Sequence, residues 1–185
     1  MNNEFLVLLQ NRIASTSIGP PTARGMGPEG TIDAARDFLR NVDLTKPQRD
    51  GKSSFEDMLN GLTEQLQMSL PRGAQYWGSS RKFMNIFLRG VLYNRYLCER
   101  YNLYELEPWL EVPLDSHVAK GLRLEKGSHV LPRWRTVIGL TPDQNKVYQD
   151  FAESVAASKD TYRVHLDLLY WRGSHMKQKI SRRMG

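Results

Sequence analysis

Lys82 and Asp115 are the two residues of this chain whose types and settings suit them to act together. Lys82 belongs to Gly78-Ser79-Ser80-Arg81-Lys82-Phe83, where a Gly-Ser-Ser turn is predicted to open a long amphipathic helix. Unpaired N–H groups in the first helical turn carry partial positive charge, so a lysine there has its charged form disfavoured. What results is the free amine that a nucleophile needs. Asp115 follows Pro113, and Asp115 and Ser116 both suit the N-cap of a following helix, where a carboxylate stays ionised. Brought together by the fold, such an amine and such an acid make a nucleophile and an electrostatic partner. Arg89, two turns beyond Lys82 on the same side, is expected to reach the same pocket.

The elements that must position these groups read as helices. From Ser79 to Tyr101 there is no Pro and the only Gly is Gly90, while Phe83, Ile86, Phe87, Gly90, Val91, Leu97 and Cys98 recur at helical spacing. Upstream, Phe5–Ile13 reads as a buried helix, and the Gly- and Pro-rich run Ser15–Gly30 cannot continue it. Thr31–Val42 is a second helix, with Ile32, Ala35, Phe38 and Leu39 on one side. A polar link, Asp43–Lys52, leads to a third, Phe55–Leu70, striped by Phe55, Met58, Leu59, Leu62, Leu66 and Leu70 and broken by Pro71-Arg72-Gly73. Downstream, Thr141 caps and Pro142 opens a helix that runs to Ser158. A last helix, Tyr162–Trp171, is expected to pack through Leu166, Leu169 and Tyr170. No strand pair, repeat or low-complexity tract interrupts this pattern. The fold is expected to be all-α, one helical domain over 1–185 with a basic tail at 173–185.

Composition narrows the function classes. A net charge of +6, with basic residues concentrated from Arg163 to Arg183, favours a polyanionic partner. Cys98 is the only cysteine, which excludes disulfides and cysteine-ligated zinc or iron–sulfur centres within one chain. The four histidines are scattered without metal-ligand spacing, so no metal site is expected. No apolar run approaches the ~20 residues that span a bilayer, and MNNEFLVLLQNR lacks the layout of a signal peptide. A cytoplasmic, nucleoid-associated monomer without membrane contact is the expectation.

Several segments taken in order resemble one family. SSRKFMNIFLR resembles the hairpin and second helix of helix-hairpin-helix DNA glycosylases, and VPLDSHV resembles the aspartate segment that follows in them. The wide separation of Lys82 and Asp115 is similar to that of the archaeal 8-oxoguanine DNA glycosylase branch. RVHLDLLYWRG (Arg163–Gly173) is similar to that branch's C-terminal segment, with its Asp and Trp four apart. IASTSIGPPTARGMG (Ile13–Gly27) is similar to its N-terminal base-pocket loop. LPRGAQYWGSS stands in place of an LPGVG-type hairpin, Arg89 in place of a lysine, and Ser17 in place of a glutamine.

The resemblance implies two helical lobes around a cleft and a DNA glycosylase with abasic-site (AP) lyase activity, which acts in base excision repair without metal or organic cofactor. Lys82 would form a Schiff base at C1′ and Asp115 would stabilise the sugar cation. The target base, damaged or modified and an oxidised purine among the candidates, must leave the stack. Asp167 and Trp171, at i and i+4, would supply an edge acceptor and a stacking plane, with Arg89 and Ser17 completing the pocket. Gly78, Ser79 and Ser80 would offer backbone N–H groups to a phosphate, and Arg81, Arg133 and Arg135 further phosphate contacts. Two other classes stay open: a non-catalytic nucleic-acid binder on the same scaffold, and a helical protein–protein adaptor. Trp134 reads as a packed indole between its two arginines.

Overall fold

The computed structural model describes residues 2–45 and 51–170, and among them there is no strand. Seven α-helices follow in order: α1 Asn3–Ser17, α2 Thr31–Arg40, α3 Gly51–Ser69, α4 Trp77–Leu92, α5 Arg95–Arg100, α6 Ser116–Arg123 and α7 Pro142–Ser158. Short 3-10 turns occupy Leu103–Leu106, Ser128–Val130 and Arg163–His165, and residues 166–170 are helical. The all-α expectation holds.

Local chemistry accounts for most of the boundaries. Asn2, Thr141 and Asn94 cap α1, α7 and α5 by accepting from Glu4 N, Gln144 N and Leu97 N. Gln10 of α1 is buried and its amide donates to the carbonyls of Leu39, Arg40 and Val42 at 3.3, 3.1 and 2.8 Å. It thereby gives carbonyls at and just beyond the end of α2 a buried donor. The α3 stripe packs as its spacing requires, with Phe55, Leu59, Leu66 and Leu70 buried and Met58 and Leu62 half-buried beside them.

Two expectations for the middle of the chain give way. α4 begins at Trp77, so Gly78-Ser79-Ser80 is helix and not turn. A Cβ on Gly78 would lie 2.1 Å from the Val137 carbonyl oxygen, so glycine there admits another segment's backbone. The single helix expected to Tyr101 ends at Leu92, because Asn94 turns extended and caps a new helix. α4 is the axis of the molecule: twelve of its sixteen residues are buried, so it is enclosed on nearly every side.

Two hydrophobic clusters flank this helix. The larger joins α1–α5 through Leu6, Leu39, Leu59, Phe83, Phe87 and Leu97. The smaller joins α6 and α7 with Leu114, Leu131, Leu140 and Leu166. Trp134 touches both and meets Tyr148 edge-on, a packed indole as expected. At the end of the described chain, Leu166 is buried but Leu169 is 48% exposed, contrary to the expected packing face. A 3-10 turn advances three residues per turn in place of 3.6, which rotates the following side chains. Val164, Leu166 and Tyr170 do the packing, and Tyr170 covers Gly121 and donates to Glu125.

Candidate active site

A cleft of about 1030 Å³ opens on the molecule, its wall drawn from α1, the loop after it, α4, the start of α6 and residues 134–138 and 167–168. Lys82, Asp115, Arg89, Asp167, Ser17 and Arg135 all line it. Residues far apart along the chain thus share one concavity, of a size usual for small-molecule sites.

Lys82 is the sixth residue of α4, not a first-turn residue. Its amine is nevertheless shifted toward the neutral form, and the cause is burial, opposed by the charge of Asp115. The side chain is 7% exposed and Nζ donates to the Thr22 carbonyl at 3.0 Å. That carbonyl belongs to a loop fastened by Thr22 N and Ala23 N to the Gly19 carbonyl and by the buried side chain of Met26. Asp115 sits as expected at the N-cap of α6, where one carboxylate oxygen accepts from His117 N at 2.8 Å and Val118 N at 2.9 Å.

A buried polar clamp ties the helix that carries Lys82 to the segment that leads into Asp115. Arg81, adjacent to Lys82, donates to both carboxylate oxygens of Glu111 at 2.8 Å, and Glu111 lies four residues before Asp115. Asn85 and Asn145 add bonds to the same carboxylate at 2.9 and 3.2 Å. Burial by itself would raise the Glu111 pKa, but the Arg81 charge and hydrogen bonds, Asn85 and the Arg163 charge hold it below the usual range. The extended stretch around it is satisfied by side chains. Gln149 bonds both the N–H and the carbonyl of Val112, and Arg163 donates to the Trp109 and Leu110 carbonyls. Arg81 therefore faces the interior and is unavailable to a phosphate, correcting the expectation for it. Gly78, Ser79 and Ser80 are likewise buried in α4. Ser80 N bonds the Tyr76 carbonyl, and among the described residues the Ser79 hydroxyl has no partner and no N–H cradle faces solvent there.

The remaining residues divide. Arg89 and Asp167 form an ion pair on the cleft wall with both side chains 18% exposed, so the Asp167 carboxylate is already engaged. Burial lowers the Arg89 pKa, against the raising effects of Tyr93 and Asp115. Ser17 is buried at the end of α1. Arg133 and Arg135 are exposed, Arg135 at the cleft itself. Trp171 lies outside the described residues.

A hydrogen-bonded chain runs back from the cleft wall at Tyr93. The Tyr93 hydroxyl meets His165 Nδ1 at 2.7 Å, and His165 Nε2 meets Glu107 at 2.8 Å. A carboxylate only accepts, so Nε2 carries the proton, and in the neutral ring Nδ1 is left to accept from Tyr93. Nothing in the spacing of these three residues announces the contact. Glu111, by contrast, had a signal: it is a lone acid in the apolar run WLEVPL, and a buried carboxylate needs partners.

Among the described residues no group of three His, Cys, Asp or Glu is placed to hold a metal ion, and no helix is long and apolar enough to cross a membrane. No protein-family model, curated protein or solved structure matches the chain.

Proposed function

We propose that the protein is a DNA glycosylase with AP lyase activity, built as two helical lobes of helix-hairpin-helix type around a cleft. The observation that supports it is the convergence on one concavity of a buried lysine whose amine is shifted toward neutrality and an ionisable aspartate remote in sequence. The flipped nucleotide enters the cleft and Lys82 Nζ attacks C1′. The C1′–N bond breaks, and its electron pair leaves with the base, which takes up a proton. Asp115 stabilises the positive charge that grows on the sugar. Loss of the second amine proton and opening of the ring give a Schiff base. Removal of a C2′ proton then expels the 3′ phosphate and cuts the strand. Arg89 and Asp167 face the base, with Arg89 releasing donors when its pair opens.

Borohydride added to wild-type protein and a duplex with an abasic site should reduce the Schiff base and leave a covalent adduct. Lys82→Ala should abolish that adduct. Wild-type protein that stays unmodified refutes the reading. One observation favours a non-catalytic DNA binder: the Lys82 amine and the Asp167 carboxylate are both engaged internally. That alternative predicts salt-sensitive DNA binding that survives Lys82→Ala, with no adduct from either protein.

A further inference from the structure

A basic ridge leads away from the cleft. α6 buries Val118, Ala119 and Leu122, which leaves Ser116, Lys120 and Arg123, spaced i, i+4 and i+7, along its outer side. Ser128 Oγ donates to the Arg123 carbonyl at 2.9 Å, closing the turn that holds Lys126. Arg123 Nη1 donates to the Pro132 carbonyl at 3.3 Å, tying the end of α6 to the stretch with Arg133 and Arg135. Both arginines are exposed, while Trp134 between them packs inward. Ser116, His117 and Arg135 line the cleft, so ridge and cleft are continuous.

Among the described residues the cations of the ridge are left without carboxylate partners. Its one acid between 116 and 136 is Glu125, which is engaged by Lys159 Nζ at 3.2 Å and by the Tyr170 hydroxyl at 3.1 Å. Among the described residues Lys120, Arg123, Lys126, Arg133 and Arg135 form no ion pair. Elsewhere on the surface Arg40, Arg95 and Lys146 each meet a carboxylate, at 2.6, 2.8 and 3.1 Å. Like charges gathered without counter-charges repel, and a polyanion laid along them relieves that repulsion while releasing its own counterions.

We propose that the face formed by α6 and residues 126–135 docks the sugar-phosphate backbone of duplex DNA and delivers a nucleotide to the Lys82 cleft. From Ser116 to Arg123 the helix advances about 10 Å, the axial rise of about three phosphates on one strand. The ridge takes over the anchoring role that the buried Gly78–Arg81 segment does not fill. The assignment rests on the DNA-acting reading of the cleft and extends it to the surface that grips the substrate.

The test uses the full chain and a labelled duplex containing a stable abasic-site analogue, with Kd measured by anisotropy from about 50 mM to about 200 mM salt. The triple variant Lys120→Gln, Arg123→Gln, Lys126→Gln should lower the slope of log Kd against log salt by about 2–3 and weaken binding at least about tenfold. The charge-matched control Arg40→Gln, Arg95→Gln, Lys146→Gln should leave the slope unchanged. With a natural abasic duplex, borohydride trapping by the ridge variant should need more DNA to saturate yet reach the wild-type rate at saturation. An unchanged slope in the ridge variant, or an equal loss in the control, overturns the proposal. So does loss of binding to phosphatidylserine vesicles with DNA binding intact, which assigns the face to a lipid surface. Failure of wild-type trapping alongside the expected slope change overturns the enzyme reading alone.

Discussion

Replacing Glu111 by glutamine tests whether the buried clamp holds Lys82 and Asp115 in register. The substitution keeps the shape and one acceptor but leaves the Arg81 guanidinium, 4% exposed, facing an uncharged amide. Two Arg81 bonds of 2.8 Å are weakened at once, and charge-assisted bonds are worth about 1.5–3 kcal/mol each. Removing one partner of a buried ion pair costs about 3–5 kcal/mol in general, which agrees. A loss of that size lowers a urea midpoint by about 1–2 M and still leaves a folded protein in water. The assay pairs urea unfolding, followed by tryptophan fluorescence, with borohydride trapping at saturating abasic duplex. Trapping should slow by about tenfold to a hundredfold, the scale set by displacements near 1 Å. The double variant Arg81→Met, Glu111→Leu removes both charges of the pair and should recover part of the lost stability, about 1 kcal/mol, the Asn85 and Asn145 amides losing their acceptor. A Glu111→Gln midpoint equal to that of wild type refutes the energetic reasoning. A lowered midpoint with undiminished trapping refutes the positioning role.

The clamp also contributes to the pH dependence of stability. The Glu111 pKa is depressed in the fold, so its contribution is complete above the ordinary value of about 4.3 and is lost as pH falls through the folded value. Urea midpoints should fall on acidification below that region, and less so in Glu111→Gln. Because burial lowers the Lys82 pKa, the trapping rate should rise with pH and reach its half-maximum below the ordinary lysine value of about 10.4. Asp115→Asn keeps an oxygen for the two cap bonds, so stability should change by less than about 0.5 kcal/mol. Trapping should slow and its half-rise should move to lower pH, since the raising charge is gone; an unmoved pH profile refutes the coupling. Gly78→Ala would force a Cβ to 2.1 Å from the Val137 oxygen and 2.8 Å from Leu140 Cβ. Overpacking of that kind costs about 1–3 kcal/mol, a drop of about 3–10 °C in Tm, read by calorimetry.

Helix periodicity and capping chemistry were legible because they are local. Phe55–Leu70, the Thr141-Pro142 start and the Asp115 cap could be read from neighbours within a turn or two. The start of α4 was misplaced because Gly78-Ser79-Ser80 has turn composition, and only a distant backbone, Val137, explains a glycine inside the helix. Lys82 lies beyond the reach of the helix dipole, since α4 begins five residues before it; burial, a tertiary property, shifts its amine instead. Arg81 looked like a surface cation because its partner Glu111 is thirty positions away. The Tyr93–His165–Glu107 chain spans still longer separations and has no pattern in sequence at all.

The Thr22 carbonyl does more than satisfy a donor. An uncharged amine has two hydrogens and one electron pair in tetrahedral array. Gripping one hydrogen from the loop side turns the pair away from that loop. The segment between α1 and α2 thereby sets the direction in which the Lys82 nitrogen can present that pair. Sequence changes at Gly19–Met26 should therefore turn the Lys82 amine within the cleft while leaving its own helix untouched.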